Sequence, residues 1–303
     1  MQVRDWLPLL GMPLMLLFVQ IIAILLSIPM QEAGLAAFED PESVTNPLIF
    51  IGMLLAFTLV LLFLIKKGGK RIIALFIAFS IFLTFTYIFS SLSLWFFGLS
   101  DAAAFFALLL AVGATALLYF YPEWYVIDVL GVLIAAGVAS IFGISLAVLP
   151  VLVLLVLLAV YDAISVYKTK HMITLAEGVL EMKTPILVVV PKRRDYSFRS
   201  EGVDIGRDKE ERGAFVMGLG DLIMPSILVI SSYIFVAAPP VIWELSYPTL
   251  GAMAGSFAGL AVLLYFVNTG KPQAGLPPLN GGAIIGFLLG CLLAGTPLSC
   301  FGI

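Results

Sequence analysis

The sequence predicts an all-α, polytopic membrane protein with nine transmembrane helices, a cytoplasmic N-terminus and an external C-terminus. Of its 303 residues, 62% are apolar and only 12% are charged, whereas an average soluble domain has about 45–50% apolar and about 25% charged residues. Apolar runs of about 20 residues recur along the whole chain, as is typical of helices that span a bilayer. These observations exclude a soluble enzyme, a secreted disulfide-rich scaffold and a nucleic-acid-binding protein.

Each predicted span is an apolar run bounded by charged residues or by Pro and Gly. The spans cover Leu7–Met30, Leu48–Ile65, Ile72–Leu99, Ala102–Phe120, Val126–Phe142, Leu146–Tyr167, Ala214–Ala237, Leu250–Asn268 and Leu279–Phe301. The first is too long for a cleaved signal peptide and lacks a small-residue cleavage site, so we predict a true span. The fifth is short and carries Asp128, and without it the orientation of every later span would be reversed.

The basic residues support this count and set the orientation. The loop at residues 31–46 holds four acidic residues and no Lys or Arg, whereas the loop at residues 66–71 holds four basic ones. Ten more follow in residues 168–212, and Arg4 and Lys271 complete the sixteen. With nine spans all sixteen Lys and Arg fall on one side. Because Lys and Arg are enriched in cytoplasmic loops, that side is predicted to be the cytoplasm.

Three regions are expected: a six-span bundle at residues 1–167, a cytoplasmic connection at residues 168–212 and a three-span bundle at residues 213–303. The connection is expected to hold an amphipathic helix at His171–Met182 on the membrane surface and a short strand at Ile186–Val190. Cys291 and Cys300 are interpreted as small packing residues rather than a disulfide, because nine residues of helix rise about 13 Å.

Glycines at every fourth position mark the last two spans. The two stripes are Gly251, Gly255 and Gly259, followed by Gly282, Gly286 and Gly290. Small residues at this spacing let helices pack closely, either within one chain or between copies in a homo-oligomer.

Acidic side chains inside spans are rare and costly, so each is a candidate functional residue. Of nineteen acidic residues, three lie inside predicted spans: Asp128, Asp162 and Asp221. Asp162 is expected about 9 Å, and Asp221 about 12–14 Å, inside the same cytoplasmic edge. No Lys or Arg lies within a span, so the two carboxylates are expected to share a proton, since like charges about 3 Å apart cannot both ionise.

Other interpretations of these acids stay open. A single Asp near a span end is commonly an interfacial cap, a helix–helix hydrogen bond or part of an ion path, and we interpret Asp128 in this way because no second acid shares its depth. A proton or cation pathway through a transporter or channel is the main alternative for the pair Asp162 and Asp221. A membrane assembly factor is the third alternative.

Two irregular segments accompany the acids. Gly218 and Gly220 precede Asp221, and glycine allows close approach of backbones or departure from helical geometry. Pro277 and Pro278 stiffen a segment that is predicted to be extended and to pair with a substrate or support the acids. Considered without the acids, the two prolines would simply interrupt helical structure at the start of the last span. The single histidine is juxtamembrane, and no His-Glu-x-x-His motif or nucleotide-binding loop is present, so serine-protease, zinc-protease and ATP-driven chemistry are unsupported.

These motifs together resemble the presenilin and signal peptide peptidase family of intramembrane aspartyl proteases. The family pattern is Tyr-Asp in the sixth span, Gly-x-Gly-Asp in the seventh and Pro-Ala-Leu before the ninth. Tyr161-Asp162 and Gly218-Leu219-Gly220-Asp221 match the first two, and Pro277-Pro278-Leu279 matches the third with Pro in place of Ala. The resemblance extends over nearly the whole chain. The compact size favours a prokaryotic or archaeal member, and the cytoplasmic N-terminus resembles presenilins.

The resemblance implies a multi-pass protein of the cell membrane that hydrolyses peptide bonds within transmembrane helices, with Asp162 and Asp221 as general acid and base. The residues supporting this dyad would be Tyr161, Gly218, Leu219 and Gly220. The residues binding an unwound substrate, by strand addition, would be Pro277, Pro278 and Leu279, together with Leu187 and Val189. No cofactor or metal is implied. The partners would be transmembrane helical peptides and the lipid bilayer, not nucleic acid.

Overall fold

Helices form most of the protein. The computed structural model describes residues 6–67, 69–98, 100–169, 187–193, 195–202, 213–268 and 273–296. The apolar helices are α1 Trp6–Glu32, α2 Thr45–Lys66, α3 Lys70–Phe97, α4 Asp101–Phe120, α5 Trp124–Ser145, α6 Val148–Ile164, α7 Leu219–Phe235, α8 Tyr247–Asn268 and α9 Leu276–Ala294. Within the described residues, eight of them are long and apolar enough to cross a membrane, and α7 is a shorter apolar helix of 17 residues. A polytopic helical membrane protein is therefore confirmed.

Helix α5 lies at the centre of the bundle, where it packs against α1, α3 and α7. Its buried face is rich in small residues such as Ala135, Ala139 and Gly143, which let neighbouring helices approach. A Cβ added at Gly143 would overlap the side chain of Ile230 on α7. This close packing fixes α7 against the rest of the bundle.

The two ends of α5 contact different connections of the chain. At its N-terminal end, the hydroxyl of Ser197 donates to Glu123 at 2.8 Å. At its C-terminal end, the amide of Ala37, in the α1–α2 connection, donates to the hydroxyl of Ser145 at 2.7 Å. The 22 residues of α5 give a length of about 33 Å, which matches the apolar thickness of a bilayer.

The glycine stripes of α8 and α9 face each other. A Cβ added at Gly251 or Gly255 would overlap the backbone carbonyl of Gly286 or Gly282 across the interface. The two helices therefore pack backbone against backbone within one chain. The stripes face each other in this contact, so they do not form a free surface for joining copies.

The prediction for the cysteines is wrong for Cys291, which is disulfide-bonded. The rise estimate assumed one continuous helix through both cysteines. Instead, α9 ends at Ala294, and Gly295 adopts a left-handed conformation with φ 69°, so the chain leaves the helix axis there. Cys300, like the predicted helix at His171–Met182, lies outside the described residues.

Two small antiparallel sheets accompany the helices. Strand β1, Leu187–Pro191, pairs with β2, Ala214–Gly218, while β3, Pro240–Ile242, pairs with β4, Leu245–Ser246. The predicted strand in the sixth-to-seventh connection is thus confirmed. The predicted seventh span is wrong at its start, because residues 214–218 form β2 and the helix begins only at Leu219.

Candidate active site

Asp162 lies near the end of α6, where the chain widens into a π-helical turn at Ser165–Thr169. Its side chain is only 4% exposed. The backbone amide of Leu276 donates a hydrogen bond to its Oδ2 atom at 3.0 Å. Leu276 is the first residue of α9, so its amide has no partner within its own helix. Asp162 therefore caps the start of α9 from another helix.

The first turn of α9 explains the two consecutive prolines. The first four amides of a helix lack intrahelical partners, and Pro277 and Pro278 have no amide hydrogen to satisfy. Only Leu276 and Leu279 need acceptors: Leu276 donates to Asp162, and Leu279 donates to the carbonyl of Gly275 at 3.5 Å. The segment is thus the first turn of a helix, and the prediction that it is extended is wrong.

Asp221 lies in the first turn of α7, two residues after the helix begins. A carboxylate is stabilised there by the partial positive charge of the helix N-terminus. The side chain is half-buried and lies directly against Gly275. A Cβ added at Gly275 would lie 2.9 Å from both carboxyl oxygens of Asp221. Only a residue without a side chain leaves the carboxyl group in this position.

The two acids meet at one dipeptide. Asp221 contacts Gly275, and Asp162 accepts a hydrogen bond from the next residue, Leu276. The structure therefore brings together the two side chains that the sequence singled out by depth.

The residues predicted to support the dyad have different surroundings. Leu219 is buried, and a Cβ added at Gly131 of α5 would lie 3.3 Å from its side chain. Gly218 has an ordinary extended conformation at φ −67°, ψ 139°. A Cβ at Gly220 would meet no atom within 4 Å, so the space beside this residue is open among the described residues. The carbonyl of Tyr161 accepts a hydrogen bond from the Ser165 hydroxyl at 2.7 Å.

Two of the predicted substrate contacts do not fit their positions. Leu279 is fully buried, with its Cα against Gly259 of α8, so it packs within the chain. Val189 is fully buried as well, and its amide donates to the Oδ1 atom of Asp128 at 2.8 Å. Leu187 lies beside it in β1, which packs between β2 and α5. Pro277 and Pro278 are half-buried.

The open edge of the β1–β2 sheet belongs to β2. Val189 lies opposite Val216, and because the Val189 amide points to Asp128, this is a non-hydrogen-bonded pair. The amide and carbonyl of Val216 therefore point away from β1. Within the described residues, no backbone hydrogen bond joins Val216 to another segment on that side.

The sequence reading missed two residues of this site. Gly275 lies just before the Pro-Pro-Leu motif, and the sequence assigns it no role, because its contact with Asp221 joins distant parts of the chain. For Asp128 the sequence leaves a cap, a helix–helix hydrogen bond or an ion path open, whereas its hydrogen-bond partner is a strand residue 61 positions away. Among the described residues, no group of three or more His, Cys, Asp or Glu side chains is arranged to hold a metal ion.

Comparisons with known proteins agree with these features. The family model for signal-peptide peptidase and presenilin aspartyl protease matches residues 13–296. Two solved structures, each of a presenilin family intramembrane aspartate protease, are 64% and 63% identical in sequence, with TM-scores of 0.71 and 0.69. In both cases the alignment covers 96% of this chain and 100% of the solved chain. No curated protein matches the chain. The protein therefore belongs to the presenilin and signal peptide peptidase family of intramembrane aspartyl proteases, multi-pass membrane enzymes that act as aspartic endopeptidases.

Proposed function

We propose that Asp162 and Asp221 are the catalytic carboxyl groups of this protease. The observation that carries the proposal is their convergence on the Gly275–Leu276 dipeptide. One carboxylate acts as a general base and takes a proton from water, while the other, protonated, donates to the oxygen of the scissile carbonyl. The proton belongs to the pair, which titrates as a unit.

The substrate is a transmembrane helix that unwinds locally and adds to the edge of β2. An extended peptide binds a strand edge through main-chain hydrogen bonds, which are independent of side-chain identity. Among the described residues, no backbone group pairs with the amide and carbonyl of Val216 on that edge, and β2 continues directly into the turn that carries Asp221. The open space beside Gly220 leaves room for a peptide backbone next to the carboxyl group. Strand β2 thus replaces β1 and residues 277–279 as the substrate-binding segment.

We further propose that all nine apolar helices cross the membrane, with the N-terminus in the cytoplasm and the C-terminus outside. The sorting of sixteen basic residues to one side supports this orientation. The contacts of the two ends of α5 with separate connections support a complete fifth crossing. The disulfide of Cys291 near the C-terminal end of α9 agrees with an oxidising external side.

In this arrangement residues 1–167 and 213–303 each contribute one catalytic acid, and residues 168–212 connect them on the cytoplasmic side. Substrates with external N-termini are then favoured. A homo-oligomer stays a prediction. Its contact surface would have to differ from the glycine stripes, which face each other within the chain.

The test is cleavage of a single-span peptide by purified protein in detergent, with products identified by mass spectrometry. Asp162→Asn and Asp221→Asn keep the shape of the side chain but remove its ability to carry the proton. Each is expected to lower turnover by about 10³-fold or more. Asp101→Asn, at an exposed position in the first turn of α4, is the matched control and is expected to keep full activity. Near wild-type turnover in either dyad variant would contradict the assignment.

A further inference from the structure

Asp128 is a buried carboxyl group outside the catalytic pair. It lies in the second turn of α5 and is only 2% exposed. Burying a carboxylate is costly unless hydrogen bonds compensate. Its Oδ1 atom accepts a hydrogen bond from the amide of Val189 at 2.8 Å. This contact joins the central helix of the bundle to strand β1.

The contact lies on the edge of β1 that faces away from β2. The register pairs Val189 with Val216, and hydrogen-bonded and non-hydrogen-bonded pairs alternate along an antiparallel ladder. The Val189 amide is therefore not used by β2. Asp128 supplies the acceptor that a third strand would otherwise provide, so β1 is held along both of its edges.

The same face of α5 also holds the start of α7. Gly131 lies three residues after Asp128, and residues at this spacing share a helix face. A Cβ added at Gly131 would lie 3.3 Å from the Leu219 side chain and 3.9 Å from the carbonyl of Leu187. One face of α5 thus contacts both β1 and the first residue of α7.

No linker separates the sheet from the catalytic turn. Strand β2 ends at Gly218, α7 begins at Leu219, and Asp221 follows two residues later. Any shift of the sheet along or away from α5 would move Asp221 relative to Asp162. It would equally move the open edge at Val216.

We propose that Asp128 is a positioning residue, whose hydrogen bond to the Val189 amide fixes the β1–β2 sheet on α5 and thereby places Asp221 and the edge of β2. The catalytic consequence rests on the proposed role of Asp221. The structural consequence, order in β1, does not depend on it. What matters in this role is a hydrogen-bond acceptor at the Oδ1 position, not a negative charge.

Two substitutions at residue 128 separate the hydrogen-bond acceptor from the negative charge. Asp128→Asn keeps an oxygen acceptor of the same shape without the charge, and Asp128→Leu keeps the branched shape, with a larger volume, without an acceptor. The readouts are hydrogen–deuterium exchange of residues 187–191 and the kcat and KM for a single-span peptide. Asp128→Leu is expected to speed exchange in β1 about tenfold and to lower kcat/KM about 10–100-fold, since small displacements of catalytic groups are costly. Asp128→Asn is expected to stay within about threefold of wild type in both.

Val189→Pro deletes the same hydrogen bond from the side of the strand. It removes no hydrogen bond from the β1–β2 ladder, because the Val189 amide does not take part in it. We expect the same effects as for Asp128→Leu, which keeps the test decisive if that variant fails to fold. Asp101→Leu, at an exposed site, controls for replacing an acid by leucine.

Two outcomes would overturn the proposal. If Asp128→Asn loses as much activity as Asp128→Leu while exchange in β1 is unchanged, the carboxylate acts chemically and not as a positioning acceptor. If Asp128→Leu and Val189→Pro leave both exchange and activity unchanged, the hydrogen bond has no positioning role. Failure of the dyad assignment is recognised separately, by cleavage that persists in Asp221→Asn.

Discussion

Gly275 belongs to the dipeptide at which the two acids meet, and its lack of a side chain leaves room for Asp221. Its backbone, at φ −80°, ψ −40°, is available to any residue, so conformational freedom does not require glycine here. The requirement is steric, because a Cβ at residue 275 would lie 2.9 Å from both carboxyl oxygens of Asp221. The carboxyl group therefore occupies space that any side chain at residue 275 would fill.

This geometry predicts a graded loss of activity as the side chain at residue 275 grows. In Gly275→Ala, the whole Asp221 side chain must shift, because its carboxyl carbon would also lie 3.0 Å from the new Cβ, and a loss of a few-fold is expected. In Gly275→Val, the added methyl groups force a larger displacement, so kcat is expected to fall about 100-fold because the acid is misplaced. Both are measured by peptide cleavage, with thermal unfolding as a check on the fold.

Gly281→Val is the matched control on the same helix. A Cβ at Gly281 meets no atom within 4 Å among the described residues. Equal losses in Gly275→Val and Gly281→Val would mean that valine harms α9 itself. The steric role of Gly275 beside Asp221 would then be wrong.

At the level of elements, β2 has the open edge of the sheet and continues directly into the turn that carries Asp221. Its Val216 amide points away from β1, so Val216→Pro removes one donor from the open edge without breaking the sheet. Loss of one main-chain hydrogen bond to substrate is worth about 1 kcal/mol. We therefore expect KM to rise about fivefold to tenfold, with little change in kcat.

Val216→Ala keeps the amide and shortens the side chain, and it is expected to stay near wild type if main-chain pairing is what binds the substrate. Hydrogen–deuterium exchange of β1 checks that the sheet survives in both variants. A KM that rises equally in Val216→Ala and Val216→Pro would contradict strand addition at this edge and indicate a side-chain contact instead.

The comparison of sequence and structure is also clearest at this scale. The helices were predictable because hydrophobic length is a local property that survives any packing arrangement. Strand β2 was read as helix because Ala214–Gly218 is apolar and continuous with α7, and periodicity cannot distinguish a short buried strand from a helix. Its strand identity depends on β1, which lies in a different part of the chain.

The same limit applies to the site. Asp162 and Asp221 were predictable because an acid within a span is conspicuous in one sequence, and their motifs resemble a known family. The contacts of Asp128 with Val189 and of Gly275 with Asp221 join elements far apart in the chain. Sequence spacing carries no signal for such contacts, so they required the structure.

For the whole molecule, the surface agrees with a bilayer environment. Long apolar side chains such as Leu59, Leu75 and Phe105 are about two-thirds exposed or more. A surface of this kind is unfavourable in water but suits contact with lipid tails. Many large apolar residues therefore face outward, while polar side chains such as Ser140, Ser226 and Ser256 are buried inside the bundle.

Orientation is the remaining property of the whole molecule, and three introduced cysteines test it. The positions are exposed and lie in different connections: Ala36→Cys between α1 and α2, Ser200→Cys between α6 and α7, and Ala237→Cys after α7. With the N-terminus in the cytoplasm and nine crossings, a membrane-impermeant maleimide should label residues 36 and 237 in intact spheroplasts. Residue 200 should react only in inside-out vesicles, because its connection carries ten of the sixteen basic residues.

The unsubstituted protein controls for the native cysteines, of which Cys291 is disulfide-bonded and should not react. Each different labelling pattern would contradict one part of the proposed topology. Reversed labelling at all three positions would mean an external N-terminus. Labelling of residues 200 and 237 from the same side would mean that the 17-residue α7 does not cross. In that case Asp221 would no longer enter the membrane from the cytoplasmic face, and access of water to the dyad from that side would have to be reconsidered.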